Sequence, residues 1–173
     1  GAQPIISYNY GANNAYRVKK AFRLLLISCL TYSAVLWLLA MVVPNMFAAI
    51  FTSDPALTEI TVWALRIYMG GCLLFGAQIA CQQTFIALGN AKTSAFLAMF
   101  RKIIVLIPLI YILPMFIEDK VMAVFLAEPI ADILAVLTTV TMFVLFFKKL
   151  LRNMDEEHVE EAKQQTQLEE KEA

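Results

Sequence analysis

Four long apolar blocks divide the chain, at about 24–50, 56–88, 93–117 and 121–147, separated by short polar breaks. Each block is at or above the roughly 20 residues that carry a helix across a bilayer. The pattern therefore predicts an all-α polytopic bundle of four transmembrane helices. The breaks have end-of-helix chemistry. At Thr52-Ser53-Asp54-Pro55, Asp54 is placed to cap the next helix and Pro55 to occupy its first position. Gly89-Asn90-Ala91-Lys92 interrupts the next two blocks, and Glu118-Asp119-Lys120 makes a tight polar turn before the last. Residues 1–16 are half apolar and too short to cross. They read as the inner end of a helix whose earlier part is missing, closed at Gly11.

Polar or small residues inside the blocks mark where the helices are not plain lipid-facing rods. Pro44 and Asn45 predict a kink near the end of the first. Cys72, Gly76 and Ala80 recur every four residues in the second, the small-residue spacing that lets membrane helices approach closely. Gln78 and Gln82, also four apart, read either as interhelical hydrogen-bonding groups or as the lining of a pathway. Pro108 and Pro114 free backbone carbonyls in the third, so that helix is expected to bend. Arg101 lies about 12 Å along it, within reach of the headgroups by snorkelling, with a functional cation as the other reading. The fourth block holds Phe125-Leu126-Ala127-Glu128-Pro129-Ile130-Ala131-Asp132. Its two carboxylates lie one turn apart on one face, and Pro129 removes the hydrogen bond to the Phe125 carbonyl. A charge near mid-bilayer costs about 2.5–3.5 kcal/mol on insertion scales, so such groups face a partner or a wet cavity. Two readings stand for the pair: a structural contact to a neighbouring helix, or a proton- or cation-coupled site.

Composition agrees with the block pattern. The 173 residues are 60% hydrophobic and only 16% charged, more apolar than a soluble domain. Lysine plus arginine balance aspartate plus glutamate at 14 each. The balance hides a segregation: bases flank the blocks, while acids gather beyond residue 152 in a Glu/Gln/Lys tail that reads as disordered or as a frayed helix. Nothing here points to nucleic acid. Arg17, Lys19, Lys20, Arg23, Lys92, Lys148, Lys149 and Arg152 fall on one side of the alternating topology, so the 17–23 loop, the 89–92 loop and the C-terminus are expected to be cytoplasmic. Cys29, Cys72 and Cys81 lack the paired spacing of metal or disulfide frameworks and read as packing residues. No nucleophile–base pair or metal-ligand cluster is present in the blocks, so no enzyme is expected.

Three stretches, in order, resemble the multidrug and toxic compound extrusion (MATE) family. Residues 1–12 followed by Arg17-Val18 are similar to the inner end of its helix eight. Gln83 to Ser94, with Arg101 and Pro108 following, resembles the boundary of helices ten and eleven. Ala127-Glu128-Pro129-Ile130-Ala131-Asp132 resembles helix twelve. The resemblance implies that residues 1–150 form most of the second six-helix lobe of a twelve-helix transporter, with the N-terminal lobe of the same protein as partner and 151–173 as a cytoplasmic tail. It implies a multi-pass cell-membrane antiporter that exports cationic or amphipathic drugs, with no cofactor beyond Na⁺ or H⁺ as coupling ion. Some members carry a cation-binding carboxylate in helix ten, whereas 67–88 here contain no Asp or Glu. The acidic role then falls to Glu128 and Asp132 or to the missing half. Gln3, Tyr8, Asn9, Gln78, Gln82 and Arg101 become the candidate substrate contacts. A lipid-linked oligosaccharide flippase, which would want a more cationic cavity, and a non-transporting membrane scaffold are the alternatives.

Overall fold

The computed structural model describes residues 1–172, with the side chains of 158, 161–162, 165–166 and 168–172 outside the description. All regular structure among the described residues is helical: α1 (Ala2–Gly11), α2 (Ala15–Val42), α3 (Pro44–Phe51), α4 (Pro55–Tyr68), α5 (Cys72–Ala87), α6 (Ala91–Met99), α7 (Ile107–Phe116) and α8 (Lys120–Glu172). A 3₁₀ turn, Met69–Gly71, joins α4 to α5, and a π-helical segment, Phe100–Leu106, joins α6 to α7. Four helical runs among the described residues are long and apolar enough to cross a membrane: Ala15–Val42, Pro55–Ala87, Ala91–Phe116 and Lys120–Glu157.

The first long helix begins about two turns before Arg23, so the basic residues 17–23 expected in a loop lie on α2 itself. Asn14 explains the early start, because its side chain accepts the Arg17 N–H at 2.9 Å and caps the helix. α1 itself closes at Gly11, as expected. The chain turns at Asn13, whose φ is +50°, while the Asn14 N–H donates to the Asn9 carbonyl at 3.0 Å. Asparagine visits the left-handed region more readily than most residues that carry a Cβ. Gly89, with φ +79°, ends α5 in the same way, the Asn90 N–H reaching back to the Phe85 carbonyl at 2.8 Å. Pro44 breaks the first span into α2 and α3, as its missing N–H requires. Asp54 accepts from the Ala56 N–H at 2.9 Å and Pro55 opens α4. Asp119 accepts from the Val121 and Met122 N–H groups at the start of α8, and the Lys120 ammonium donates to the Pro114 carbonyl at the end of α7.

α8 is the spine of the bundle. It packs against α5, α4, α7 and the π segment, while α2 lies along α5 and α1 bridges α2 and α5. Gly76 is the reason α2 and α5 can lie so close: a Cβ there would stand 2.5 Å from the Cys29 carbonyl oxygen and 2.7 Å from Ser33 Oγ. Ala80, on the same face, is fully buried. An apolar core sits at the basic end, where Ile6, Val18, Phe85, Leu97, Phe143 and Phe147 cluster. Phe22 packs on Phe143 at 4.7 Å and Phe85 meets Phe146 at 5.1 Å, ring separations that favour aromatic contact. The charged tail, expected as disorder or as a frayed helix, continues α8 without a break to Glu172. Its Glu, Lys, Gln and Ala residues are strong helix formers, and Arg152 and Glu156 approach to 3.7 Å four residues apart.

Candidate functional site

The two carboxylates of α8 do not face an open cavity. Arg101, carried by the π segment, turns inward and pairs with both, through Nη2 to Asp132 Oδ1 and Nη2 to Glu128 Oε1 at 3.1 Å. Snorkelling is therefore not the geometry it adopts. Only 15% of its side chain is exposed, and its guanidinium carbon lies 4.8 Å from the centre of the Phe75 ring on α5, in cation–π range. The aromatic face and the two acids together replace the solvation that a headgroup would have supplied. Lys102 adds a second cation from the rim, Nζ to Glu128 Oε1 at 3.3 Å, with 56% of its side chain exposed. Tyr68 OH donates to the same oxygen at 3.5 Å.

Three of the four spans build this site, and each is locally irregular where it contributes. The 3₁₀ turn brings Gly71 against α8, where a Cβ would sit 2.7 Å from Asp132 Cβ. Only glycine permits that approach. Pro108 has no N–H to give to Ile104 and crowds that carbonyl, which accounts for the wider π winding just before it. Such windings concentrate at functional positions. Pro129 sits between the acids within an otherwise unbroken α8. Two cations and two carboxylates leave the cluster with a formal charge of zero. Four charges close together in the span of a membrane helix thereby meet the requirement that intramembrane ions be paired.

The other residues singled out from the sequence are placed apart from this cluster. Gln3 Nε2 donates to Gln83 Oε1 at 2.5 Å and ties α1 to α5. Asn9 is buried and donates to the Ile5 carbonyl of its own helix at 2.7 Å. Tyr8 is three-quarters exposed. Gln78 lies about two turns along α5 from Gly71, and Thr139 about two turns along α8 from Asp132. Gly71 meets Asp132, and two further steps of the same length along both helices Phe85 meets Phe146. Gln78 and Thr139 therefore lie at the same level between those contacts. Both are buried, and Gln78 Oε1, Thr139 Oγ1 and the nearby Gln82 Nε2 have no hydrogen-bond partner among the described residues. A buried hydroxyl without a partner costs about 1–3 kcal/mol. Thr139→Val is accordingly expected to leave stability unchanged or raise it by about 1 kcal/mol, measured as the melting temperature of the intact protein in detergent. A loss would show that the hydroxyl is bonded in the folded protein.

The sequence does not single out Tyr68, Gly71, Phe75 and Lys102 as parts of one site. A signal for Lys102 is its place beside Arg101, and for Gly71 the Gly70-Gly71 pair. Tyr68 and Phe75 carry none, because a tyrosine and a phenylalanine in an apolar block look like any lipid-facing aromatic.

No curated protein matches the chain. The MatE family model matches residues 1–112. Among solved structures, an inward-facing multidrug resistance MATE family transporter of the MOP superfamily superposes with a TM-score of 0.81 at 16% identity, over 87% of this chain and 35% of that one. The MATE multidrug transporter DinF-BH gives 0.74 at 34% identity, over 82% and 31%. A MOP superfamily transporter from Pyrococcus furiosus gives 0.79 at 16% identity, over 86% and 34%. The chain thus spans about a third of the length of these structures. With the family model covering well over half of its residues and the helical bundle shared over 87% of them, the chain belongs to the MatE family of multi-pass membrane transporters.

Proposed function

We propose that the chain is the C-terminal lobe of a multidrug efflux antiporter and that Glu128 and Asp132 are its coupling groups. The observation that carries this reading is the Arg101–Glu128–Asp132 ion cluster joining two irregular spans inside the membrane region. The twelve-helix protein would pair this lobe with an N-terminal one, and alternating access would move the two against each other. The C-terminus and the basic ends of the spans face the cytoplasm on the distribution of lysine and arginine.

The coupling ion is best read as a proton. A sodium ion approaching Glu128 would meet Arg101 and Lys102 already within 3.3 Å of its Oε1. A proton needs no such room. Binding to one carboxylate, it removes that group's charge and loosens its hold on Arg101. The π winding and the two prolines leave the third span fewer regular backbone hydrogen bonds to resist the movement that follows. Glu128 lies about 12 Å along α8 from Lys120, in the half of the span nearer the expected outer face. Gln78 and Gln82 remain the groups best placed to contact substrate in this lobe, since their buried amide atoms are unpaired. Gln3, Tyr8 and Asn9 sit at the basic end, where a substrate would enter from the cytoplasm. An oligosaccharide-lipid flippase is the weaker reading, because the one deeply placed arginine is already neutralised by two acids.

The test is dye efflux by the full-length transporter carrying Glu128→Gln or Asp132→Asn. Each is expected to lower gradient-driven efflux at least about tenfold, as loss of an acid–base group does, at unchanged membrane abundance. Unchanged efflux in both variants would remove the carboxylates from the mechanism.

A further inference from the structure

We propose that the groove between α2 and α8 binds an anionic phospholipid, its phosphate held by Lys19, Arg23 and Lys148 and one acyl chain lying over Leu26, Leu30 and Val144. The groove has a volume of about 560 Å³, with Ala77 and Cys81 of α5 as its floor. Its chemistry is divided by depth. All three cations stand at the basic end, and the remaining lining is apolar. Phe22 fixes the width there, since its ring meets Phe143 at 4.7 Å and Phe147 at 5.1 Å and so holds Lys19 and Arg23 of α2 beside Lys148 of α8. Lys19 and Arg23 are four residues apart and share one face.

No carboxylate from the two walls offsets these charges. α2 contains no Asp or Glu, and α8 has none between Asp132 and Asp155. The occupant must then be anionic at one end and apolar along the rest. A cationic drug would meet three like charges at the mouth, and a soluble phosphate would leave the apolar length of the groove unfilled. Basic pockets between membrane helices on the cytoplasmic side recognise acidic lipid headgroups by this combination. The expected orientation puts this end of the bundle in the leaflet where such lipids are available.

The experiment uses the intact transporter purified in a neutral detergent, with thermal unfolding followed during titration with phosphatidylglycerol, phosphatidylcholine or glycerol phosphate. Phosphatidylglycerol is expected to raise the melting temperature saturably, and the other two are not. Lys19→Gln, Arg23→Gln and Lys148→Gln should each weaken its apparent affinity about fivefold, from the contribution of a single basic residue at a membrane surface. Lys19→Arg and Lys148→Arg should preserve it, which separates lost charge from a lost fold. Equal stabilisation by phosphatidylcholine would overturn the site as an anion receptor, and equal stabilisation by glycerol phosphate would make it a free-phosphate site. An unchanged phosphatidylglycerol affinity in all three glutamine variants would show that the lipid acts elsewhere or that another part of the protein covers the groove.

Discussion

Arg101→Met destabilises the protein by about 3–5 kcal/mol, the loss expected when one member of a buried ion pair is removed and its partners are left charged. The side chain is replaced by one of similar length, so packing against Phe75 is largely kept and the effect isolates the charge. Asp132 then has no cation, while Glu128 retains Lys102 at 3.3 Å. The sign reverses when the acids are removed as well. Arg101→Met combined with Glu128→Gln and Asp132→Asn is expected to recover most of the loss, since a neutral set at the same positions no longer buries an unpaired charge. Melting temperatures of the single and triple variants in detergent decide the matter. A single variant as stable as the parent would mean that the cluster is open to water and the ion pairs contribute little. Transport is expected to be lost in both variants, which distinguishes the role of the cluster in folding from the coupling role proposed for it.

Gly76→Val destabilises by about 3 kcal/mol, at the upper end of what overpacking a close helix contact costs. A β-carbon at this position lies 2.5 Å from the Cys29 carbonyl oxygen and 2.8 Å from its carbon. These are backbone atoms of α2, so no rotamer change can relieve the contact and the two helices must separate. The helix propensity gained over glycine, about 1 kcal/mol at most, offsets only part of this. Ser33→Ala removes the third close neighbour, Ser33 Oγ at 2.7 Å, and is expected not to rescue the variant. Gly70→Ala is the control. Its nearest neighbour would be Pro129 Cβ at an ordinary 3.7 Å, so it should be tolerated. Comparable losses for Gly70→Ala and Gly76→Val would show that glycine flexibility, rather than the α2–α5 contact, is what matters.

Both expectations draw on residues that the sequence singles out but cannot pair. The Cys72, Gly76, Ala80 spacing announces a close helix approach, yet not that α2 is the partner. Glu128 and Asp132 on one helical face announce a site needing a counter-charge. Arg101 is visible as the nearest deep cation in sequence, but its depth measured along a straight helix places it equally well among the headgroups. The π winding before Pro108 and the Gly71 approach choose between those positions; each has a local cause in proline or glycine, but which side chains they bring together is decided by the packing of the spans.

The spans, their polar ends, the kink at Pro44, the cap at Asp54 and the family likeness are all legible in the bare chain. They follow from hydropathy over about 20 residues and from the chemistry of helix ends, both of which act locally. Which charges meet, why Gln78 and Thr139 share one buried level, and which aromatic rings close the basic end around the α2–α8 groove become visible only once the helices are packed. Those are contacts between segments 26 to more than 100 residues apart, and their geometry depends on how irregular spans settle against one another. Glu128 and Asp132 look costly in isolation; the fold places Arg101 and Lys102 beside them, so that the buried carboxylates are paired with cations.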